Sequence, residues 1–321
     1  MIKQGDYLMH IEKTASNFDT YRRDMILYEN ARSAFTEVLE LVHLKEYEIV
    51  LLPAYIGWSS HEGSGVFDPI KKLGLKYDFY KINSELNIDV DDLANKLKFK
   101  NIRVLVVIHY FGYIDKNYED VVRIAKENNV IVIEDEAHAM YTDLIGGISG
   151  RKGDFSLFSL HKMLPVKTGG ALVINQNARI RFSEYNTKLS YQCMDTFFSY
   201  DLKAISEKRI RNTKNFLKYI DEAAGYIKPL RLSLEQGEIP QTFPVMVGNG
   251  QRDYLYFKLN ELGYGVVSLY HELIKEISEE EYKDSYKLSK NILNLPVHQD
   301  VEEEEIFNLV TALKECIRRR R

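Results

Sequence analysis

Asp135 closes the apolar run Val130–Asp135, and Lys162 follows it, ahead of a Gly169-Gly170 pair. A carboxylate at the end of a buried strand is costly unless a cation meets it. A protonated heterocycle nitrogen is one such cation. An aspartate that caps the next turn is an equally ordinary reading of Asp135 alone. Lys162 is preceded by Ser156, Ser159 and His161. An amine in a partly desolvated pocket loses proton affinity, and its neutral form attacks an aldehyde to give a Schiff base. Most single lysines are solvated surface groups; the neighbouring hydroxyls and the glycine pair set this one apart.

Two further stretches could hold a ligand. Asn30-Ala31-Arg32-Ser33-Ala34 opens an early helix. The free amides and positive dipole end of a helix start suit a phosphate, and Arg32 and Ser33 could add donors. Taken alone, a plain helix cap explains this stretch as well. His109-Tyr110-Phe111-Gly112 follows a strand end and either lines a pocket or packs against the next helix.

The elements that must position these residues are legible as alternating periods. Residues 48–53, 76–82, 102–110 and 130–135 read as buried strands, with helices at 90–97 and 118–129. This rhythm predicts an α/β fold with a mostly parallel sheet covered on both faces. Residues 154–160 and 170–175 are two strands close enough to pair as antiparallel neighbours. The segment 178–225 reads as helical. A second α/β region follows, with strands at 242–247, 265–270 and 293–296 and helices at 251–262, 278–290 and 302–319. The expected division is a large ligand-binding domain over 1–190 and a smaller C-terminal domain over 191–321.

The chain has 321 residues, 45% of them hydrophobic, enough for such a core. A net charge of -4 gives no reason to expect nucleic acid or an anionic membrane as partner. Cys193 and Cys316 form no CxxC pair or metal-ligand cluster, and a reducing cytoplasm is the natural compartment. The polar segment 1–19 has no signal-peptide core. His271-Glu272-Leu273-Ile274-Lys275 misses the zinc motif H-E-x-x-H by its last residue, so no metal is expected there. Asp135-Glu136-Ala137-His138 has the letters of a helicase motif, but no phosphate-binding G-x-x-x-x-G-K-[ST] loop precedes it.

In order along the chain these features resemble the DegT, DnrJ, EryC1 and StrS family of pyridoxal-phosphate-dependent nucleotide-sugar aminotransferases. Tyr28–Phe35 looks like the family's opening helix, and Leu52-Pro53-Ala54-Tyr55 like its proline-then-aromatic strand end. His109–Gly112 matches its His-aromatic-Gly turn. Asp135-Glu136-Ala137-His138 matches its D-x-A-Q/H motif, and Gly153–Ser159 the strand leading to its lysine. Lys162 keeps the family spacing of seven residues to Gly169, and Leu293–His298 looks like its terminal LP-x-H strand.

The resemblance implies the type I aminotransferase fold, with pyridoxal 5′-phosphate as cofactor. Lys162 would carry the cofactor and move protons, Asp135 would pair with the ring nitrogen, and His138 would stand near the phenolic oxygen or ring face. Ser159, Arg32 and Ser33 would hold the phosphate, and Tyr55 or Trp58 would cover the ring. The implied reaction moves an amino group from an amino acid, glutamate foremost, to a keto-sugar nucleotide, in a cytoplasmic homodimer.

The chain departs from the pattern in several places. Two residues are missing between Ser159 and Lys162. Lys167-Thr168 replaces Gly-Glu, and Arg32 replaces a small hydroxyl residue. The Gly-Tyr-Asn segment that reaches the partner's site has no counterpart around 185–205. Lys167 is therefore a second candidate for the Schiff base. A sugar dehydratase using His161 and a non-catalytic regulatory or assembly homologue stand as alternatives.

Overall fold

The central sheet is built from runs apolar on both faces. The computed structural model describes residues 23–180, 199–220 and 226–319. The segment 1–19, Cys193 and most of the 185–205 region lie outside the described residues.

The first sheet has the order β1-β7-β6-β5-β4-β2-β3, with β1 Met25–Tyr28, β2 Ile49–Pro53, β3 Lys76–Tyr80, β4 Ile102–Ile108, β5 Ile131–Asp135, β6 Phe155–Ser159 and β7 Gly170–Ile174. Strands β3, β2, β4, β5 and β6 are parallel, and β7 is antiparallel to both β6 and β1. Val104–Ile108 and Ile131–Ile133 are buried, because helices cover both faces. Such strands show continuous β-branched runs instead of alternation. Helix α1 (Ala31–Leu41) turns Ala34, Phe35, Val38 and Leu39 to the core. Helices α2 (Phe67–Lys72), α3 (Val90–Phe99), α4 (Tyr118–Glu127) and α5 (Met140–Leu144) complete the unit. Asn30 and Asp89 cap α1 and α3 by accepting from Ser33 N and Asp92 N, each worth about 1 kcal/mol.

A second, antiparallel sheet has the order β10-β9-β8, with β8 Ile227–Pro229, β9 Thr242–Val247 and β10 Ile292–Pro296. Helices α6 (Leu202–Tyr219), α7 (Arg252–Glu261) and α9 (Glu303–Arg319) give it its own core, where Phe216 and Phe243 stack at 5.1 Å. The strand expected over 265–270 is absent: one bridge, Val267 to Asn294, is all that forms. Gly265 and Tyr270 have positive φ, 62° and 57°, which turns the chain out of a pleat. The segment then crosses to the first core, which Ile274, Ile277, Tyr282 and Leu288 join before and within α8 (Lys283–Asn291).

A buried polar cluster ties the ends of β4 and β5 to the loop after α5. Glu134 accepts five hydrogen bonds of 2.5–3.1 Å, from His109 Nε2, the Tyr118 hydroxyl and the amides of Gly150, Lys152 and Gly153. The second carboxyl, Glu136, lies 3.4 Å from His109 Nε2 and accepts from Ser149 Oγ at 2.7 Å. Burial disfavours charge on His109, but Glu136 and Glu134 outweigh it and raise the imidazole to about 9. His109 and Glu134 therefore form a buried ion pair. Burial and the nearby Asp143 and Glu134 charges hold Glu136 well above the usual carboxyl range. His109, Glu134 and Glu136 are grouped as metal ligands often are, yet the Glu134 oxygens are already saturated by donors.

Two predictions follow from this packing. An imidazole whose folded pKa exceeds its unfolded value of about 6.5 stabilises the fold fully below that value, and the contribution fades as pH rises through about 9. His109→Asn should therefore cost about 3–5 kcal/mol at neutral pH in urea unfolding, with a smaller penalty above pH 9. A Cβ at Gly170 would stand 2.2–2.5 Å from the Asn30 and Ala31 backbone. Gly170→Ala should lower stability by about 1–3 kcal/mol, read as an earlier urea midpoint at unchanged slope.

Candidate active site

Strand register brings the chemistry-bearing residues to one sheet edge. Ile108 pairs with Asp135, Asp135 with Leu157, Ser159 with Gly170, and Gly170 with Tyr28. His109, Asp135, Ser159 and the Asn30 cap of α1 thus lie along the carboxyl ends of the parallel strands, where α/β sheets bind ligands. The absence of a side chain at Gly170 lets the α1 start sit directly on β7. Thr168 Oγ1 donates to the Glu29 carbonyl and fastens the same junction.

Lys162 is exposed in the short turn Leu160–Lys162 that leaves β6. The turn is pinned by Leu160 N donating to Gly169 O at 2.9 Å, by the Tyr141 hydroxyl donating to Met163 O at 3.1 Å, and by Gln241 Nε2 reaching Lys162 O at 3.5 Å. Burial raises the pKa of Asp135, and the Lys162 ammonium is the largest influence pulling it back. Asp135 Oδ1 also accepts from Ala137 N at 2.8 Å. Burial, then Lys162, push His138 well below the ordinary imidazole range, so its ring is neutral. His138 Nδ1 accepts from Phe111 N at 3.5 Å, which leaves the proton on Nε2 as a donor. The His138 and Phe111 rings lie nearly parallel at 5.6 Å. An amine, a carboxylate in need of a cation and a neutral imidazole donor share one neighbourhood.

Other expected residues are placed differently. The Ser33 amide and hydroxyl both use Asn30 Oδ1, at 2.9 and 3.1 Å. The Arg32 guanidinium donates to the Glu62 carbonyl and lies 3.8 Å from Asp68, turned toward the following loop. At this helix start the Ala31 and Arg32 amides have no helical carbonyl to bond, so the backbone carries the donors suited to an anion. Ser159 is buried, with Oγ 3.3 Å from His161 Nδ1. His161 is lowered by burial and Lys162, and Lys167 is exposed farther along the loop. Tyr55 is fully buried behind Tyr110 and Tyr270, whereas Trp58 is 41% exposed.

Two residues at this edge escaped the sequence reading. Gln241 arrives from the segment before β9, and Tyr270 from the crossing segment after α7. Tyr270 packs on His138 at 5.6 Å and on Phe111 at 6.0 Å. The one local hint was Gly57, a glycine amid the bulky Tyr55, Ile56 and Trp58, whose missing side chain leaves room for the Tyr270 ring.

The chain is similar to UDP-4-amino-4,6-dideoxy-N-acetyl-beta-L-altrosamine transaminase of Campylobacter jejuni subsp. jejuni serotype O:23/36 (strain 81-176), with 24% identity over 267 residues, 71% of this chain and 70% of that protein. GDP-perosamine synthase of Escherichia coli O157:H7 is 32% identical over 95 residues, 29% of this chain and 26% of that one. Among solved structures, the putative sugar aminotransferase Spr1654 from Streptococcus pneumoniae in its PLP form superposes with a TM-score of 0.74 at 15% identity, covering 92% of this chain and 87% of that one. DesV of S. venezuelae, in complex with a ketimine intermediate, gives 0.73 at 15% identity, covering 94% and 87%. These structural likenesses establish the shared aminotransferase fold. A family model for the DegT/DnrJ/EryC1/StrS aminotransferases matches residues 1–196. With this match over more than half its length, the chain belongs to the DegT/DnrJ/EryC1/StrS aminotransferase family.

Proposed function

We propose that the chain is a pyridoxal-5′-phosphate-dependent aminotransferase that transfers an amino group from an amino acid, glutamate foremost, to a keto-sugar nucleotide. The observation that carries this reading is geometric: Asp135 ends β5 and Lys162 leaves the neighbouring parallel strand β6, at the same sheet edge. The residues fit the cofactor: Asp135 is a carboxylate that burial leaves short of positive charge, and the α1 start offers amides to a phosphate. The substrate class draws support from the nucleotide-sugar transaminases among the relatives.

When bound, pyridoxal phosphate supplies an aldehyde carbon for an amine and a protonated ring that withdraws electrons from the bond being broken. Asp135 would accept the hydrogen bond of the ring nitrogen and so hold its proton. Lys162 Nζ would be the covalent anchor and, when free, the general base for the proton on the donor α-carbon. His138 would offer its Nε2 proton to the phenolic oxygen. The amides of Ala31 and Arg32 would orient the phosphate, and the Ser159 hydroxyl would add a donor. Lys162 lies in the turn that leaves β6, whereas Lys167 is exposed farther along the loop, and this supports Lys162 as the anchoring amine. We place the protein in the cytoplasm as a homodimer, with a ligand-binding domain over 1–190 and a smaller one over 191–321. No helix among the described residues is long and apolar enough to cross a membrane.

Protein incubated with pyridoxal phosphate should be yellow, and borohydride should fix the cofactor on the peptide carrying Lys162. Lys162→Ala should abolish both the fixation and amino transfer, whereas Lys167→Ala should keep them. Asp135→Asn should reduce turnover by roughly 100-fold or more while retaining the fold. A protein that stays colourless would overturn the reading in favour of a non-catalytic homologue.

A further inference from the structure

We infer that Tyr270, carried into the site on the segment that crosses between the two cores, is the aromatic wall against which the cofactor ring rests, and that Gly57 exists to admit it. The inference rests on the reading of the Asp135–Lys162 neighbourhood as the cofactor site. The aromatics of the 53–59 loop do not fill this role. Tyr55 is wedged behind Tyr110 and Tyr270, with centroids at 5.4 and 5.1 Å, and Trp58 is turned to solvent. Tyr110 is committed elsewhere, since its hydroxyl donates to the Tyr55 carbonyl at 2.6 Å. Tyr270 instead stands edge-on to His138 at 5.6 Å and Phe111 at 6.0 Å, close enough to Asp135 to feel its charge.

The placement is held from both sides. The crossing segment is sewn to the 53–59 loop by Trp58 N donating to Glu272 O and Ile274 N donating to Ile56 O, both at 3.0 Å. Between those bonds Gly57 bridges Leu273. A Cβ at Gly57 would come within 2.7 Å of the Tyr270 ring, so a larger residue there would evict it. Tyr270 itself holds φ 57°, a left-handed backbone that a bulky residue adopts only when its surroundings fix it. His271 Nδ1, 2.7 Å from the Ser268 carbonyl, closes the turn behind it. A ring delivered this way makes cofactor retention depend on the seating of the C-terminal part of the chain on the first core.

The test measures the dissociation constant of pyridoxamine 5′-phosphate, which forms no bond to lysine, by equilibrium dialysis against the full chain. Tyr270→Phe should bind within about threefold of wild type, because the ring and not the hydroxyl makes the contact. Tyr270→Ala should weaken binding about tenfold, the scale of one lost aromatic contact. Gly57→Ala should weaken it similarly, and the double variant should be no worse than Tyr270→Ala alone, since both changes remove the same ring. Circular dichroism checks each fold; should Tyr270→Ala not fold, Gly57→Ala asks the same question by displacing the ring. Unchanged binding in both folded variants would overturn the inference while leaving the cofactor site in place. Wild-type protein that binds no pyridoxamine phosphate would sink the cofactor reading, and this inference with it.

Discussion

A carboxylate that burial partly strips of water favours a positive neighbour, and the sheet edge sets Asp135 in such a place. The parallel strands bring Asp135 to the edge where the sheet opens. The neighbouring parallel strand β6 ends at that edge, and Lys162 stands in the turn that leaves it. An isolated ionised side chain in such a place would take up a proton instead, and the Lys162 ammonium opposes that outcome.

A second charge problem is solved one residue away on either side of Asp135. Successive residues of a strand face opposite ways, so Glu134 and Glu136 point away from the ligand side. There His109, from the neighbouring strand end, serves both carboxyls. The pair is no bonus to stability compared with an apolar core. Its value lies in geometry, because five donors to one carboxylate fix where β5 ends and hence where Asp135 begins.

The strands of the parallel sheet were legible because burial on both faces leaves continuous apolar runs. The β6–β7 pairing was legible from the short spacing between two such runs. Asp135 and Lys162 drew attention by their places at and beyond a strand end, and His138 through the resemblance of Asp135–His138 to the family motif. Other features depend on partners far away in sequence. β1 is a short strand that exists only through its pairing with β7. Residues 265–270 have strand composition, yet glycine and tyrosine in left-handed backbone turn them toward the first core. Arg32 looked like an anion ligand by type, but the loop before α2 captures its guanidinium. The aromatic neighbour of His138 comes from the far end of the chain, and no local pattern announces it.

The pairing of β1 with β7 carries a consequence for biogenesis. Met25–Tyr28 has no strand partner among the described residues except Gly170–Val173. During translation at about 5–20 residues per second, that partner emerges roughly seven to thirty seconds later. Until then the first strand is a nascent ribbon with unmet backbone groups, open to wrong partners. The start of α1, which follows β1 directly, thus takes its final seat only after β7 has been made. Closing the long loop between these two strands costs more entropy than the local pairings of the neighbouring parallel strands.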